Sequence, residues 1–432
     1  MRVAVIGAGI VGVTSAYELA RDGHEVTVFE RRSSVAAETS FANAGVVAPG
    51  YVTPWAAPGM PWKVLRYLFS RHAPVRLGGL PDSQQLGWLW QWWRACRAAT
   101  HRANRARMQR LAQHSQHRLN QLTTSLGLEY EQAQGVLVLL RSDREAALAH
   151  PGLSILRDAG VAFQWVDAAR CREIEPGLNP EMRLCAGVHL PNDGVGNCRQ
   201  FAHLLKAEAQ KFGARFRFLH EVQRVDAGIK PKLQWRQREV EPGARPESTG
   251  VLREEAFDAV LVCAALGAAD LLRPLGVTLP LQAVHGYSIT APLRLPDEHA
   301  RAGPRSGLMD ERFKVAITRL GSRVRVAGSA ELFASDETIN AAALRTLYKV
   351  LEDWFPGVIQ MPQAQRWKGA RPMLPDGPPV LGASGAPGVW LNLGHGSSGW
   401  ALSCGSACVL ADLIGGRSAG LDIEGLGIER LR

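Results

Sequence analysis

Between residues 83 and 128 the chain contains no aspartate and no glutamate, a long gap for a protein of 432 residues with 40 acidic side chains. Arg94, Arg97, Arg102, Arg105, Arg107, Arg110 and Arg118 all fall inside that gap, so 7 of the 10 formal net positive charges are concentrated there. Cysteine is scarce and unpatterned. The seven residues (Cys96, Cys171, Cys185, Cys198, Cys263, Cys404, Cys408) are odd in number and never form C-x-x-C, which argues against a disulfide framework and a zinc ribbon and suits a reducing cytoplasm. No run reaches about 18 uninterrupted apolar residues, so no membrane span is expected. The first strand pattern begins at residue 2, leaving no room for a charged n-region, an apolar h-region and a cleavage site; export is not expected. No internal repeat is present. The His114 and His117 pair has no third ligand nearby and sits among basic residues, so it reads as a solvated helix face and no metal site is expected.

What is there is concentrated at the start. Residues 2–6 are a short apolar run of strand type, Gly7, Gly9 and Gly12 form G-x-G-x-x-G, and residues 10–22 carry apolar side chains at helical spacing before Gly23. A second strand pattern, residues 25–30, ends at Glu30. The three glycines act differently. Gly7 permits the turn, Gly9 lets backbone N–H groups approach a pyrophosphate, and Gly12 lets helix and strand pack closely, with Ile10 and Val11 opening the helix. Glu30 lies where a carboxylate accepts ribose hydroxyls and repels a 2′-phosphate, although Arg31 and Arg32 soften that exclusion. The pattern is a dinucleotide site, and by itself it does not separate NAD from FAD.

The length exceeds what one core usually serves, so two domains are expected. A small-residue loop, Glu38-Thr-Ser-Phe-Ala-Asn-Ala-Gly45, leads into irregular chain marked by Pro49, Pro54, Pro58 and Pro61. The pattern over 81–126 is helical. Strands are expected at 135–140, 163–166, 186–190, 215–219 and 257–264, with a helix at 201–212 and a Pro- and charge-rich hairpin at 230–250. Further strands are expected at 287–290, 314–318 and 324–327, then a helix over 340–355. Finally a strand over 389–393 runs into Gly394-His-Gly-Ser-Ser-Gly399 and a last helix, a second strand, glycine turn and helix N-terminus where oriented N–H groups can face an anion or an electron-rich ring.

Several unusual words go together: residues 2–12, Glu38 to Gly45, Pro49-Gly-Tyr51, Pro54-Trp-Ala-Ala-Pro-Gly59, Leu190-Pro-Asn-Asp193, Gly286-Tyr-Ser288, Lys314-Val-Ala-Ile-Thr-Arg319, Arg371-Pro-Met373 and Asn392-Leu-Gly-His-Gly396. In these the chain resembles the FAD-dependent D-amino acid oxidase superfamily, and more closely the bacterial D-amino acid dehydrogenase small-subunit family, over almost its whole length. The resemblance implies FAD and an α/β fold. A Rossmann-like FAD-binding domain (1–80, 193–278 and 365–432) would interleave with an α+β substrate-binding domain of mostly antiparallel sheet (81–192 and 279–364).

Carried over by position, Glu30 should hold the adenosine ribose and Arg31 should lie beside the adenine. Ser40, Asn43, Ala44 and Gly45 should line the pyrophosphate and ribityl side. Val222 should meet adenine through its backbone, Gly267 belongs to a second glycine turn, and Gly394, His395, Gly396, Ser397 and Ser398 should run along the flavin ring. The resemblance makes Arg371 the substrate carboxylate clamp, since a planar guanidinium grips a carboxylate bidentately. Tyr287 and Lys314 are expected as a hydroxyl donor and a second cation nearby, each with a structural role as its alternative. His395 either contacts flavin or substrate or is a packed histidine. Some relatives attach flavin to a cysteine near this segment, but none occurs between Cys263 and Cys404, so the flavin is expected to be non-covalent. Others place an arginine where this chain has Ser397 and Ser398.

The resemblance implies oxidative deamination of D-amino acids to 2-oxo acids and ammonia, by hydride transfer from Cα to flavin N5, with electrons passed to a quinone-type acceptor. Dehydrogenation of cyclic amines such as D-proline or hydroxyproline is the alternative, and a flavin-dependent tRNA-modifying oxidoreductase a more distant one. The tryptophans Trp88, Trp90, Trp92 and Trp93 just ahead of the arginines fit either a core beneath a basic face or an interface with anionic lipid. The expected location is cytoplasmic, either free or peripheral on the inner face of the cytoplasmic membrane. Nucleic acid is not an expected partner.

Overall fold

The structure, a computed structural model, describes residues 1–67, 70–238, 250–294, 303–336 and 338–431. Its first sheet has six strands in the order Val380–Ala383, Val389–Leu393, Ala259–Val262, Arg2–Ile6, Glu25–Glu30 and Arg215–Phe218. All neighbours run parallel except the first pair. A parallel sheet needs both faces covered, which is why its strands are apolar without alternation. One face packs against the helices Ile10–Arg21, Cys198–Lys211 and Gly399–Ile414. The other packs against a three-stranded antiparallel sheet (His220–Asp226, Lys232–Gln237, Arg253–Ala256) and the short helix Ala268–Leu272. Of the hairpin expected over 230–250, residues 239–249 lie outside the described residues.

The second sheet has ten strands. In order they are Gln365–Met373, Gln282–Pro292, Arg323–Leu332, Val315–Leu320, Gly307–Asp310, Ala133–Leu140, Ala186–Val195 and Val46–Val47, with Val75–Leu77 beside Arg323–Leu332 and Gln164–Asp167 beside Ala186–Val195. Pairing is antiparallel except at Gly307–Asp310 with Ala133–Leu140 and at Arg323–Leu332 with Val75–Leu77. One face carries Tyr287, Ile289, Val315, Ile317 and Leu308 into a core under the helix Ala341–Trp354. The opposite face looks toward the first domain.

Several expectations shift. Gln365–Met373, Val46–Val47 and Val75–Leu77 pair into the second sheet, although the resemblance places their segments in the dinucleotide domain. The helix expected over 81–126 breaks at Cys96 into Ser83–Ala95 and Ala98–Leu126. The longer piece buries its apolar face on the first domain, because its stripe of Leu111, Ala112, Leu119 and Leu122 enters that core and Arg118 makes two hydrogen bonds to the buried Glu18 (2.7 and 3.0 Å), while Gln116 on its outer side donates to the Asn192 carbonyl of the second sheet. Residues Gly396–Ile414 are long and apolar enough to cross a membrane (mean hydropathy 1.2), yet 67% of that segment is buried. It is the core helix between Ile10–Arg21 and Ala98–Leu126, and a Cβ at Gly405 would come 2.8 Å from the Ser115 nitrogen, so the crossing admits only glycine.

Candidate cofactor and substrate site

The turns that follow the parallel strands gather at their C-terminal edge, where open α/β sheets bind ligands. Gly7 adopts φ +100°, and a Cβ there would stand 2.8 Å from the Cys263 carbonyl; a Cβ at Gly12 would stand 1.9 Å from the Gly7 carbonyl. Those two glycines are required by protein packing. Gly9 differs, since a Cβ there meets only Ser40 Oγ at 3.6 Å. The helix Ile10–Arg21 has glycine, without a capping side chain, at its N-cap and no acidic residue in its first turn, so beyond the Ile10 N–H its N-terminal partial positive charge is left for a ligand. Ser40 Oγ accepts the Ile10 N–H at 3.1 Å. Glu30 accepts N–H bonds from Ala8 (2.7 Å) and Arg32 (2.8 Å), and each oxygen keeps a lone pair for a ribose hydroxyl. Burial raises its pKa, opposed by those two N–H groups. Arg31 and Arg32 are both braced by Glu38. Val222 lies in the strand beside this corner, where Leu219 donates to the Arg32 carbonyl at 3.0 Å. Gly267 closes a short turn after Ala259–Val262 with no atom within 4 Å of its Cβ position. These open and uncapped groups fit a dinucleotide.

The loop after Ser40 is strapped to the second sheet. Ser288 Oγ donates to the Ala42 carbonyl (2.8 Å), Arg325 Nη1 to the Asn43 carbonyl (3.1 Å), and Thr318 Oγ1 to the Ala44 carbonyl (3.0 Å). Asn43 Oδ1 accepts the Gly45 N–H at 3.1 Å. Thr39 Oγ1 adds a bond to the Ala370 carbonyl (2.6 Å), one residue from Arg371. Sequence reasoning misses Ser288, Thr318 and Arg325, for nothing in their local pattern says which loop they face.

Arg371 lies on Gln365–Met373 with its guanidinium over Gly286, where a Cβ would come 2.2 Å from Nη2. Its Nη1 donates to the Ser329 carbonyl at 2.8 Å. Among the described residues no carboxylate pairs with it, and burial lowers its pKa to about 10, which leaves it cationic at neutral pH. Ser329 adopts φ +60°, uncommon for a non-glycine residue, and its buried hydroxyl has no partner among the described residues. A half-buried guanidinium without a carboxylate partner, beside an unsatisfied hydroxyl, fits an anionic ligand. Gly286 is the overlooked residue here; an isolated glycine inside a strand pattern signals close approach of another group.

The other expected substrate residues are not all brought to Arg371. Tyr287 is directed to the opposite face, into the core, where its hydroxyl donates to Glu331. Strand alternation dictates this: if Gly286 faces the cleft, its neighbour cannot. His395 is 3% exposed, its Nε2 lies 3.1 Å from Ser406 Oγ, and burial lowers its pKa to about 3, so it is a neutral packed histidine. Gly394 and Gly396 flank it at φ +78° and +55°, leading through Ser397 and Ser398 into the helix Gly399–Ile414, whose N-terminus also has no side-chain cap. Lys314 follows the cleft-facing side of the sheet but is held by Glu311 and lies 3.3 Å from Tyr51 Oη. Burial would lower its pKa; Tyr51 and Glu311 outweigh that and raise it.

The tryptophan stretch divides by helix face. Trp88 and Trp92 are buried, while Trp90 and Trp93 stack at 5.1 Å and are 57% and 51% exposed. Trp88 Nε1 donates to the Met373 carbonyl (3.2 Å), two residues from Arg371. Beside them the helix Met60–Tyr67 has no buried residue and leaves Trp62 71% exposed.

Against known proteins, residues 2–413 match the model of the DAO family, described as FAD dependent oxidoreductase. A D-amino acid dehydrogenase of Cereibacter sphaeroides is 43% identical over 435 residues, covering 100% of this chain and 95% of that one. A D-amino acid dehydrogenase of Agrobacterium fabrum is 42% identical, covering 100% and 99%. The crystal structure of glycine oxidase from Geobacillus kaustophilus superposes with TM-score 0.73 at 20% identity, covering 99% and 97%, which is a likeness of fold. With its α/β dinucleotide domain, its mixed-sheet partner and matches across its whole length, this chain belongs to the DAO family of FAD-dependent oxidoreductases, in the branch of those D-amino acid dehydrogenases, and FAD is its cofactor.

Proposed function

We propose that this oxidoreductase deaminates D-amino acids oxidatively to 2-oxo acids and ammonia and passes the electrons to a quinone-type acceptor. The observation that carries the reading is Arg371, a half-buried cation with no acidic partner among the described residues, set over a glycine beside the strapped loop of the dinucleotide domain. The names of the 43% and 42% identical relatives support the D configuration.

FAD, when bound, supplies the hydride acceptor, and the imine product hydrolyses in water. The chain's own contribution is placement. Gly7, Gly9, Gly12, Glu30, Ser40 and the turn from Gly394 to Ser398 would hold the cofactor. Arg371 grips the substrate carboxylate in two parallel hydrogen bonds and so fixes the direction of Cα–H. Gly286 keeps the space that the guanidinium needs, and Ser329 orients it through its carbonyl. Neither Tyr287 nor His395 is assigned a step, because both side chains are committed elsewhere.

Anaerobic addition of D- and L-amino acids and cyclic amines, watched at the flavin band, tests this. Bleaching by D-alanine and other acyclic D-amino acids is expected, and Arg371→Ala should slow it about a thousandfold with FAD still bound. Bleaching by proline-type substrates alone would replace the substrate class, and near-normal reduction of Arg371→Ala would remove that residue from the mechanism.

For the acceptor, the exposed Trp90, Trp93 and Trp62 with Arg94, Arg97 and Lys63 form an apolar and basic surface suited to anionic lipid on the inner face of the cytoplasmic membrane. Trp88 joins that surface to the strand of Arg371. Cosedimentation with anionic vesicles at low salt, lost in a Trp90→Ala, Trp93→Ala variant, is expected; no binding by the parent protein would sink this part of the proposal.

A further inference from the structure

The cleft-facing side of the ten-stranded sheet has a floor of small residues that begins at Arg371 and ends at a second charged cluster. Gly286 lies under the guanidinium, and Ser329, on the adjacent strand, carries the carbonyl that receives it. Ser288 and Ala327, paired across the same two strands, continue this face with small side chains. Ala316 pairs with Ala327 on one side and Met309 on the other. Beyond them stand Glu311 and Lys314, in the turn between Gly307–Asp310 and Val315–Leu320, covered by Tyr51. Tyr51 packs against the cluster that holds Ala48, Val136 and Val138, as Met309 does, and Thr318 on this same face bonds the Ala44 carbonyl. The cluster is therefore on the loop side of the sheet, with Arg371. Strands are about 4.8 Å apart, so Lys314 lies two strands, roughly 10 Å, from Gly286. The side chain of a substrate anchored by its carboxylate crosses such a span.

The two ends differ in charge. Arg371 has no acidic partner among the described residues, whereas Lys314 is neutralised. Glu311 Oε1 takes the Lys314 ammonium and Oε2 accepts from Tyr51 Oη at 3.0 Å, while the ammonium also reaches Tyr51 Oη. Neither charge is left over. Lys314 makes a poor second clamp for the substrate carboxylate, and its pairing has a consequence for the other end of the substrate.

Resting on the reading that Arg371 holds a D-amino acid carboxylate, we propose that Glu311, Lys314 and Tyr51 form the side-chain end of the substrate pocket and select for uncharged D-amino acids, because the cation that would attract an acidic side chain and the anion that would attract a basic one are paired with each other. Removing either member leaves the other as a recruiting charge.

The test compares rate constants of anaerobic flavin reduction by D-glutamate, D-lysine and D-alanine. In Glu311→Gln the D-glutamate to D-alanine ratio should rise about tenfold, as one unpaired charge at close range supports. Glu311→Asp, which keeps the charge, should retain the parent ratio, and Glu311→Gln with Lys314→Met should lose the gain. Lys314→Met alone should raise the D-lysine ratio, which keeps the idea testable if Glu311→Gln does not retain flavin. An unchanged ratio in both single variants, or a gain that survives in the double variant, would overturn the proposal. Failure of D-alanine to reduce the parent enzyme would instead overturn the underlying function.

Discussion

The guanidinium of Arg371 occupies the space that a side chain at residue 286 would take, with Nη2 only 2.2 Å from the position of a Cβ on Gly286. Gly286→Ala should push it off the sheet face. The expected result is a KM for D-alanine at least about tenfold higher with FAD content unchanged, since lost carboxylate grip weakens binding and orientation together. Parent-like kinetics would mean that the guanidinium does not rest over residue 286 in solution.

The first and last glycines of the opening motif serve packing, and the middle one serves the ligand. Gly12→Ala puts a methyl 1.9 Å from the Gly7 carbonyl, so it should lower the melting temperature of the apoprotein and abolish FAD uptake. Gly9→Ala meets only Ser40 Oγ at 3.6 Å and should fold normally yet bind FAD weakly. Thermal melts with and without added FAD separate the two; equal effects on the apoprotein would refute the distinction.

Asp193 is 3% exposed and accepts the Gly50 N–H at 3.1 Å. Burial, opposed by that single N–H, raises its pKa from 3.8 to about 7. The folded state therefore holds a proton that the unfolded chain has released, and this group's contribution is full below pH 3.8 and lost as pH rises through about 7. Asp193→Asn keeps an acceptor for Gly50 without the titration. Its melting temperature should exceed the parent's at pH 8 and show no gain at pH 4.

Arg118 makes two hydrogen bonds to Glu18, with side chains 14% and 1% exposed, and so docks the long helix Ala98–Leu126 on the first domain. Arg118→Met leaves the buried Glu18 carboxylate with the partly exposed Arg21, 3.2 Å away, as its remaining partner and should cost up to about 3 kcal/mol. Adding Glu18→Gln should recover most of that in denaturant unfolding. Equal loss in the single and double variants would point to packing instead of charge.

Much of the cofactor domain was legible because its signals are local. The runs at 2–6 and 25–30, the glycines between them and Glu30 follow from turn chemistry and helix polarity, and they appear at Arg2–Ile6, Glu25–Glu30 and Ile10–Arg21. The second sheet was less legible. Residues 365–373 hold Trp, Lys, Gly, Arg and Pro with little alternation, and they form a strand only because Gln282–Pro292 supplies a full ladder of partners. The split of the tryptophans between core and surface followed from helical spacing once the break at Cys96 was in view.

By itself the sequence determined the dinucleotide motif, the order of strands and helices around it, and the presence of an arginine in a distinctive Arg-Pro-Met word. Tertiary structure alone decided which side chains share a face. It sent Tyr287 and His395 into packed interiors, brought Gly286 beneath Arg371 from 85 residues away, and paired Lys314 with Glu311 and Tyr51. The reason is physical: turns, glycines and helix ends act within a few residues, whereas the face a strand residue presents and the partner it meets depend on register between segments far apart in the chain.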